Sequence, residues 1–342
     1  NLNGVDMASR DQANRILLPQ KISQAEAKVQ ALRATFKMNP SEYYRHDRVP
    51  KSKVAVNSEL EWEEKRLADL KAIRSTLEEN EEDRQSDPSI PRRGLVYMDD
   101  SKKDDRVKVA ISTGDVDRAK HVSTILPGMN NVPSEDINDH VKNAELVHKH
   151  AADNAHISQD QVATIAWMYD TPQGGQVVSS KYATKASHEI GSALEGMHAF
   201  RHTNGIERAH TSLLGHSYGS TTAGKVAKLV RKGVLDDLVM YGSPGAGAHD
   251  AREYNLDHGK PYVSGIKSDD AVKGKRTLNS KFGNNPMFMP GVKHLANNSE
   301  RDRSFFIPWK MFDRHSEYLE KGTSSLEDIS RVVTNVPVKG EK

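Results

Sequence analysis

The 342-residue sequence contains no cysteine, which excludes disulfides, thiolate metal sites and a cysteine nucleophile. It also lacks an excess of either charge, with 49 Lys and Arg residues against 47 Asp and Glu residues, so a nucleic-acid partner is not expected. Long apolar runs are missing too, since a stretch such as 162–169 is far shorter than the roughly 20 residues that cross a bilayer. These absences predict a soluble protein with no transmembrane segment.

The chain begins with Asn rather than Met, and no basic, then apolar, then small-residue signal pattern follows. We therefore interpret it as a processed or excised piece of a longer protein. Any targeting signal would lie outside this sequence, so the compartment stays open, export as part of a longer chain included.

Residues 1–94 are predicted to form a helical, strongly charged appendage. Helices are expected over about 9–38 and 58–84, and the second opens with Ser58 and Glu61 at the spacing of a capping box. One face of the second helix carries an apolar stripe formed by Trp62, Leu67, Leu70, Ile73 and Leu77. The stripe predicts a helical hairpin packed on a larger domain; the alternative is a docking or dimer surface for another protein.

From residue 95 onward, short β-rich runs alternate with helical ones, which predicts a mostly parallel sheet with crossover helices. The first two runs, 95–98 and 107–112, predict a hairpin because the link between them is too short for a helix. Further strands are expected at 122–126, 162–169, 211–214, 238–241 and 262–266, with helices at about 134–153, 181–202, 218–231 and 325–333. The sequence thus predicts an α/β domain over 95–342 with an insert at about 271–312.

The string Gly215-His216-Ser217-Tyr218-Gly219 joins a short apolar strand directly to an apolar helix. This is the setting of a nucleophile elbow, in which serine occupies a strained turn and flanking glycines avoid collisions with the adjacent strand and helix. Ser217 would then lie at a helix N-terminus, where the dipole favours developing negative charge. The alternative is a glycine-rich turn with a capping serine.

On the fold that uses such an elbow, the orienting acid and then the base follow the nucleophile along the chain. Asp269 and Asp270 come just after the last predicted strand, and Asp269 is preferred as the acid. His315 lies ahead of the final helix and is predicted to be the base, with His294 as the alternative.

An oxyanion hole requires two backbone N–H groups. Tyr218 supplies one by its position after the serine, and Met129 is predicted to supply the other, with Gly128 as the alternative. Neither a cofactor nor a metal is expected. The histidines on or near one predicted helix form no i, i+4 pair and have no acidic partner pattern; they are His140, His148 and His150.

Several short motifs follow one another along the chain: 10–15, 114–122, 127–129, 215–220 and 242–247. In this order they resemble an actinobacterial α/β-hydrolase family long catalogued as a domain of unknown function, and the likeness spans nearly the full length. The resemblance implies a triad of Ser217, Asp269 and His315. Family members commonly show Gly-Asp-Pro where this chain has Ser268-Asp269-Asp270, a departure that supports Asp269.

The sequence therefore predicts a serine hydrolase of the esterase or lipase-like kind, acting through an acyl-enzyme on a small-molecule or lipid-like ester. Five of the seven phenylalanines and several large apolar residues fall between the predicted acid and base: Phe282, Met287, Phe288, Met289, Phe305, Phe306, Trp309 and Phe312. Phe288 and Trp309 are predicted to bind an apolar acyl group. The alternative is a satellite core under a long loop.

Two other functions stay open at this point. A peptidase or amidase could use the same triad, because acyl-enzyme chemistry serves both bond types. A catalytically inactive scaffold could instead bind a protein partner through the N-terminal helices.

Overall fold

A central sheet of eight strands organises the chain in the computed structural model, which describes residues 4–37, 51–266, 280–296 and 313–339. The strands are β1 (Arg93–Asp99), β2 (Lys108–Thr113), β3 (His121–Leu126), β4 (Val162–Met168), β5 (His210–His216), β6 (Asp237–Tyr241), β7 (Pro261–Ser264) and β8 (Lys293–His294). Their order in the sheet is β1-β2-β4-β3-β5-β6-β7-β8.

The strand directions confirm the predicted opening hairpin and the mostly parallel sheet. β2 is antiparallel to both β1 and β4, and every other neighbouring pair is parallel. β8 is not among the predicted strands, because its two residues are too few to form a period-2 pattern.

Within the described residues, six α-helices pack around this sheet: α1 (Met7–Lys37), α2 (Lys51–Ser86), α3 (Pro133–Ala155), α4 (Lys181–Thr203), α5 (Tyr218–Leu229) and α6 (Ser324–Val333). α3 starts at a proline and has Glu135 and Asp136 in its first turn, both of which suit a helix N-terminus. α2 begins well before Ser58, so the capping box predicted there is wrong. None of the helices in the described ranges is long and apolar enough to cross a bilayer.

Side chains that alternate along the strands divide most of the core into two large apolar clusters, and a third, smaller cluster contains Tyr218 and Phe282. Ile165 and Trp167 of β4 belong to the cluster that contains residues of α4 and α5, whereas Ala166 and Met168 belong to the cluster that contains residues of α1, α2, α3 and α6. All of β4 is buried, which explains its nearly continuous apolar sequence.

The N-terminal helices share the second of these clusters. Leu70, Ile73 and Leu77 of the predicted stripe are at most 3% exposed and belong to the same cluster as Leu18 and Ile22 of α1. The chain therefore covers most of this stripe itself. The division into an appendage over 1–94 and a domain over 95–342 stays a prediction, as does a partner for the N-terminal helices.

Two of the sequence motifs fasten α1 to the sheet. The buried carboxylate of Asp11 accepts the backbone N–H of Leu95 at 2.6 Å and pairs with Arg15 at 2.8 Å and Arg92 at 2.7 Å. Asp117, from the motif at 114–122, accepts the first backbone N–H groups of α1 at 2.9 to 3.1 Å. These motifs thus have a structural role at the edge of the sheet where β3 begins.

Candidate active site

Ser217 occupies the turn between β5 and α5. Its φ of 50° and ψ of −123° lie in a region of backbone conformation that residues other than glycine rarely adopt. Its backbone N–H donates to the carbonyl oxygen of Tyr241 in β6 at 2.9 Å, and the residue is 8% exposed. The turn therefore presents one small hydroxyl side chain at the carboxyl edge of the sheet.

The two glycines of the string are required by close contacts. A Cβ at Gly215 would lie 2.6 Å from the carbonyl oxygen of Gly219, and a Cβ at Gly219 would lie 2.4 Å from the carbonyl oxygen of Pro127. Both distances are shorter than real Cβ contacts. Larger residues at either position would push α5 or the loop after β3 away from Ser217.

The loop after β3 lies directly against the Ser217 side chain. The Cβ position of Gly128 is 3.0 Å from Ser217 Cβ and 3.5 Å from its Oγ. Met129 follows Gly128 with 39% of its surface exposed. The structure thus brings Met129, the predicted second oxyanion donor, to the segment beside the serine.

Tyr218, the other predicted oxyanion donor, is the first residue of α5 and has a buried ring. Its hydroxyl donates to the carbonyl oxygen of Ser179 at 2.6 Å and accepts the N–H of Ala183 at 3.2 Å. Burial raises the pKa of this phenol to about 12. The side chain therefore fastens the loop before α4 to the turn, while the backbone N–H stays at the helix N-terminus.

His315 reaches the same turn through His216. The Nε2–H of His216 donates to the carbonyl oxygen of His315 at 2.6 Å, and the two ring centroids are 4.8 Å apart. We assign the proton to Nε2 because a carbonyl oxygen can only accept. Since His216 directly precedes Ser217, the predicted base and the predicted nucleophile lie on contacting segments.

The alternative base, His294, lies elsewhere. It sits in β8 and pairs with Val263 of β7, and β8 is three strands away from β5. At the usual strand spacing of about 4.8 Å, this puts its backbone about 14 Å from β5. His315 is therefore the better placed of the two.

Three predicted site residues fall outside the described residues, namely Asp269, Asp270 and Trp309. β7 ends at Ser264, and the described chain continues to Ile266, three residues before Asp269. The choice between the two acids stays a prediction.

Of the aromatic residues predicted to form an acyl pocket, two are described. Phe282 is 6% exposed and packs edge-on against Tyr218 with ring centroids 5.8 Å apart, which matches the satellite-core alternative. Phe288 is 55% exposed and free to meet an apolar group. Phe305, Phe306 and Phe312 lie outside the described residues.

A polar cavity of about 140 Å³ lies beside the turn, with Asp136, His140 and His216 among its lining residues. Burial lowers the pKa of His140 to about 4, so this ring is neutral near pH 7. A larger cavity of about 250 Å³ lies beneath α1 next to Asp11, at the other edge of the sheet from Ser217. Volume therefore does not identify the candidate site; the geometry around Ser217 does.

One further carboxyl group, at the same edge of the sheet as Ser217, has a raised pKa. Asp170 lies two residues after the end of β4, and burial, together with the nearby Asp104 and Asp105, raises its pKa to about 7. No motif in the sequence marks this residue, because its burial depends on the loops folded over it.

The sequence also gives no role to His216, Tyr241 and Tyr318, three rings that contact one another and of which His216 contacts His315. The ring of His216 stacks on Tyr241 at 5.2 Å and contacts Tyr318 at 6.1 Å. The only sequence signal for this cluster is the position of His216 next to the serine, and only tertiary structure shows what that ring touches.

Sheet order and the strand–turn–helix geometry at Ser217 define an α/β-hydrolase fold. The profile of the family described as alpha/beta hydrolase matches residues 102–280. An uncharacterised protein of Mycobacterium bovis is 30% identical over 241 residues, which cover 68% of this chain and 84% of that protein. An uncharacterised protein of Mycobacterium tuberculosis is 33% identical over 173 residues, 47% of this chain and 25% of that protein.

The chain therefore belongs to the alpha/beta hydrolase family, and the predicted fold class and family resemblance are confirmed. Among solved structures, similar ones include an esterase of Rhizomucor miehei (TM-score 0.37, 14% identity, 75% of this chain and 90% of that one). Another is an S-formylglutathione hydrolase from Agrobacterium tumefaciens (TM-score 0.34, 12% identity, 67% and 96%). Likenesses this weak carry no function over to this chain.

Proposed function

We propose that this protein is a serine hydrolase in which Ser217 is the nucleophile, His315 the base and Asp269 the orienting acid. One observation carries the proposal. Ser217 is held at a φ of 50° between β5 and α5, with the loop of Gly128 against its side chain and the segment of His315 bonded to the residue before it.

In the proposed reaction, Ser217 Oγ attacks the substrate carbonyl carbon while His315 takes the hydroxyl proton. The tetrahedral oxyanion accepts the backbone N–H groups of Tyr218 and Met129, and losing one such donor typically costs about 3 kcal/mol. Collapse breaks the bond to the leaving group, which receives the proton from His315. Water then attacks the acyl-enzyme by the same route, releasing the acid and restoring Ser217.

An ester with an apolar acyl group is the proposed substrate. Met129 and Val178 are 39% and 69% exposed, and both belong to loops that contact the elbow. Val178 precedes Ser179, whose carbonyl oxygen accepts the Tyr218 hydroxyl. Phe288 adds a third exposed apolar side chain. Trp309, which lies outside the described residues, is included in the proposed pocket from the sequence alone.

Labelling with a fluorophosphonate probe tests the proposal. Wild-type protein should be labelled covalently and Ser217→Ala should not, because the substitution removes the attacking oxygen. The control is Ser75→Ala, at an exposed serine of α2, which should be labelled like wild type. Labelling that persists in Ser217→Ala would contradict the assignment, and a folded wild-type protein that is never labelled would favour the inactive scaffold.

A panel of matched p-nitrophenyl esters and anilides then separates an esterase from a peptidase or amidase. For the esters, each added methylene that becomes buried should raise kcat/KM up to about fourfold, from about 0.8 kcal/mol per methylene. Rates that do not change with acyl length, or a preference for anilides, would count against an apolar ester.

A further inference from the structure

The residue before the nucleophile makes contacts that the proposed reaction does not yet use. His216 ends β5, and its ring lies on the α3 and α6 side of the sheet, stacked on Tyr241 of β6 with centroids 5.2 Å apart at 25°. From this buried support, its Nε2–H donates to the carbonyl oxygen of His315 at 2.6 Å. A side chain fixed by the sheet thus bonds directly to the backbone of the proposed base.

The segment of His315 is a short 3-10 helix, Asp313–Leu319, with a second fixed point at Tyr318. Tyr318 is fully buried, and its ring lies 5.7 Å from Tyr241 and 6.1 Å from His216. His315 and Tyr318 are one 3-10 turn apart. If the bond from His216 were lost, the turn that carries His315 could pivot about Tyr318.

A cavity lies next to this cluster of rings. The polar cavity of about 140 Å³ is lined by both His216 and Leu319, so it borders the 3-10 helix on the side of α3. Packing is therefore incomplete beside the His216 ring and the end of the 3-10 helix.

The same cluster also contacts Ile266, the last described residue after β7. The hydroxyl of Tyr318 accepts the backbone N–H of Ile266 at 3.0 Å. Ile266 follows β7 and comes shortly before Asp269 in the chain. The residue before the nucleophile, the 3-10 helix of the base and Ile266 therefore meet around one group of rings: His216, Tyr241 and Tyr318.

We propose that His216 is a positioning residue, whose Nε2–H bond to the His315 carbonyl sets the height of that turn above β5 and aims the His315 imidazole at Ser217 Oγ. This inference rests on the proposed function, in which His315 is the base. His216 itself exchanges no proton with substrate.

Two substitutions separate the bond from the packing. His216→Phe keeps an aromatic ring on Tyr241 but removes the donor. His216→Gln loses the ring but keeps an amide N–H at nearly the reach of Nε2. His258→Phe is the matched control, because the side chain of His258 is 87% exposed.

We expect His216→Phe to lower kcat for a p-nitrophenyl ester roughly 10- to 100-fold, since a misplacement of about 1 Å can cost 10²-fold. KM should stay within about twofold, because substrate binding does not use the bond. His216→Gln should recover most of kcat, and His258→Phe should match wild type. A merely structural role would instead make both His216 variants lose activity together with their thermal midpoints.

Two results would overturn the inference: His216→Phe with wild-type kcat, or His216→Gln as impaired as His216→Phe. Failure of the proposed function looks different, because wild type would then not be labelled at Ser217 at all. In that case, the ¹⁵N NMR spectrum of the imidazoles still tests the geometry. The bond is supported if His216 carries a proton on Nε2 that exchanges slowly with solvent in wild type and faster in His315→Pro, which displaces the His315 carbonyl. A proton on Nδ1 alone refutes it.

Discussion

Gly128→Ala is the substitution that most directly tests whether the loop after β3 and Ser217 act as one site. The new Cβ would lie 3.0 Å from Ser217 Cβ and 3.5 Å from Ser217 Oγ, whereas ordinary van der Waals contact begins at 3.4 Å. No positive φ is involved, so the backbone itself accepts alanine. The conflict is therefore confined to the nucleophile side chain and the loop beside it.

The size of the effect follows from this distance. Rotation of the serine side chain does not move its Cβ, so either the turn at Ser217 or the loop after β3 must shift by roughly 0.4 Å, and either shift disturbs the alignment of hydroxyl and oxyanion donors. Because a misplacement of about 1 Å can cost 10²-fold in rate, we expect a loss of roughly tenfold. Stability should change by less than about 1 kcal/mol, since alanine also reduces the entropy of the unfolded chain.

The assay measures the second-order rate constant of fluorophosphonate labelling, and urea unfolding of the same variants measures their stability. Gly175→Ala is the matched control, because Gly175 lies in the loop before α4, also without positive φ, and no atom lies within 4 Å of its Cβ position. Gly175→Ala should be labelled at the wild-type rate. If Gly128→Ala is labelled equally fast while remaining folded, the loop after β3 does not border the reacting hydroxyl, and Met129 loses its proposed role.

Two further predictions concern buried carboxylates. Asp11→Ala should lower the free energy of unfolding by about 3 kcal/mol, because it leaves the Leu95 N–H buried without an acceptor and removes the partner of Arg15. Urea unfolding measures this free energy, and an unchanged value would contradict the role of Asp11 in holding α1 to the sheet. Asp170→Asn concerns pH: a native pKa raised from 3.8 to about 7 means that wild type loses stability as pH rises between these values, so the variant should lack this decline in thermal midpoints from pH 4.5 to 7.5. Parallel pH profiles of Asp170→Asn and wild type would contradict the raised pKa.

Much of the fold is predictable because its signals are local. The apolar composition of β4 is enough to predict a buried strand. Near residue 95, the change from helical sequence to β-rich runs that alternate with helical ones predicts the class of fold. The start of α2 is not predictable in this way. Ser58 and Glu61 have capping-box spacing, but the helix continues through them to Lys51, since such spacing also occurs by chance inside helices.

In the candidate site, too, the local features are predictable from the sequence and the tertiary contacts are not. Ser217 and its glycines are predictable because one strained turn demands a contiguous string of residue types. The partners of His216 are not, because they come from β6 and from the segment before α6, which only the tertiary fold brings together. The preference for His315 over His294 follows from its position before the final helix, but the distance that separates His294 from Ser217 comes only from the sheet order, which places β8 far from β5.

The backbone at Ser217 has a consequence for how this family can evolve. A serine held at φ 50° and ψ −123° costs the folded state on the order of 1–3 kcal/mol relative to a relaxed conformation, and glycine would carry much less of that cost. Selection for stability alone would therefore tend to replace the serine with glycine. A lineage that keeps serine here sacrifices stability for a reactive hydroxyl, and one that no longer needs the reaction could become more stable through a single substitution.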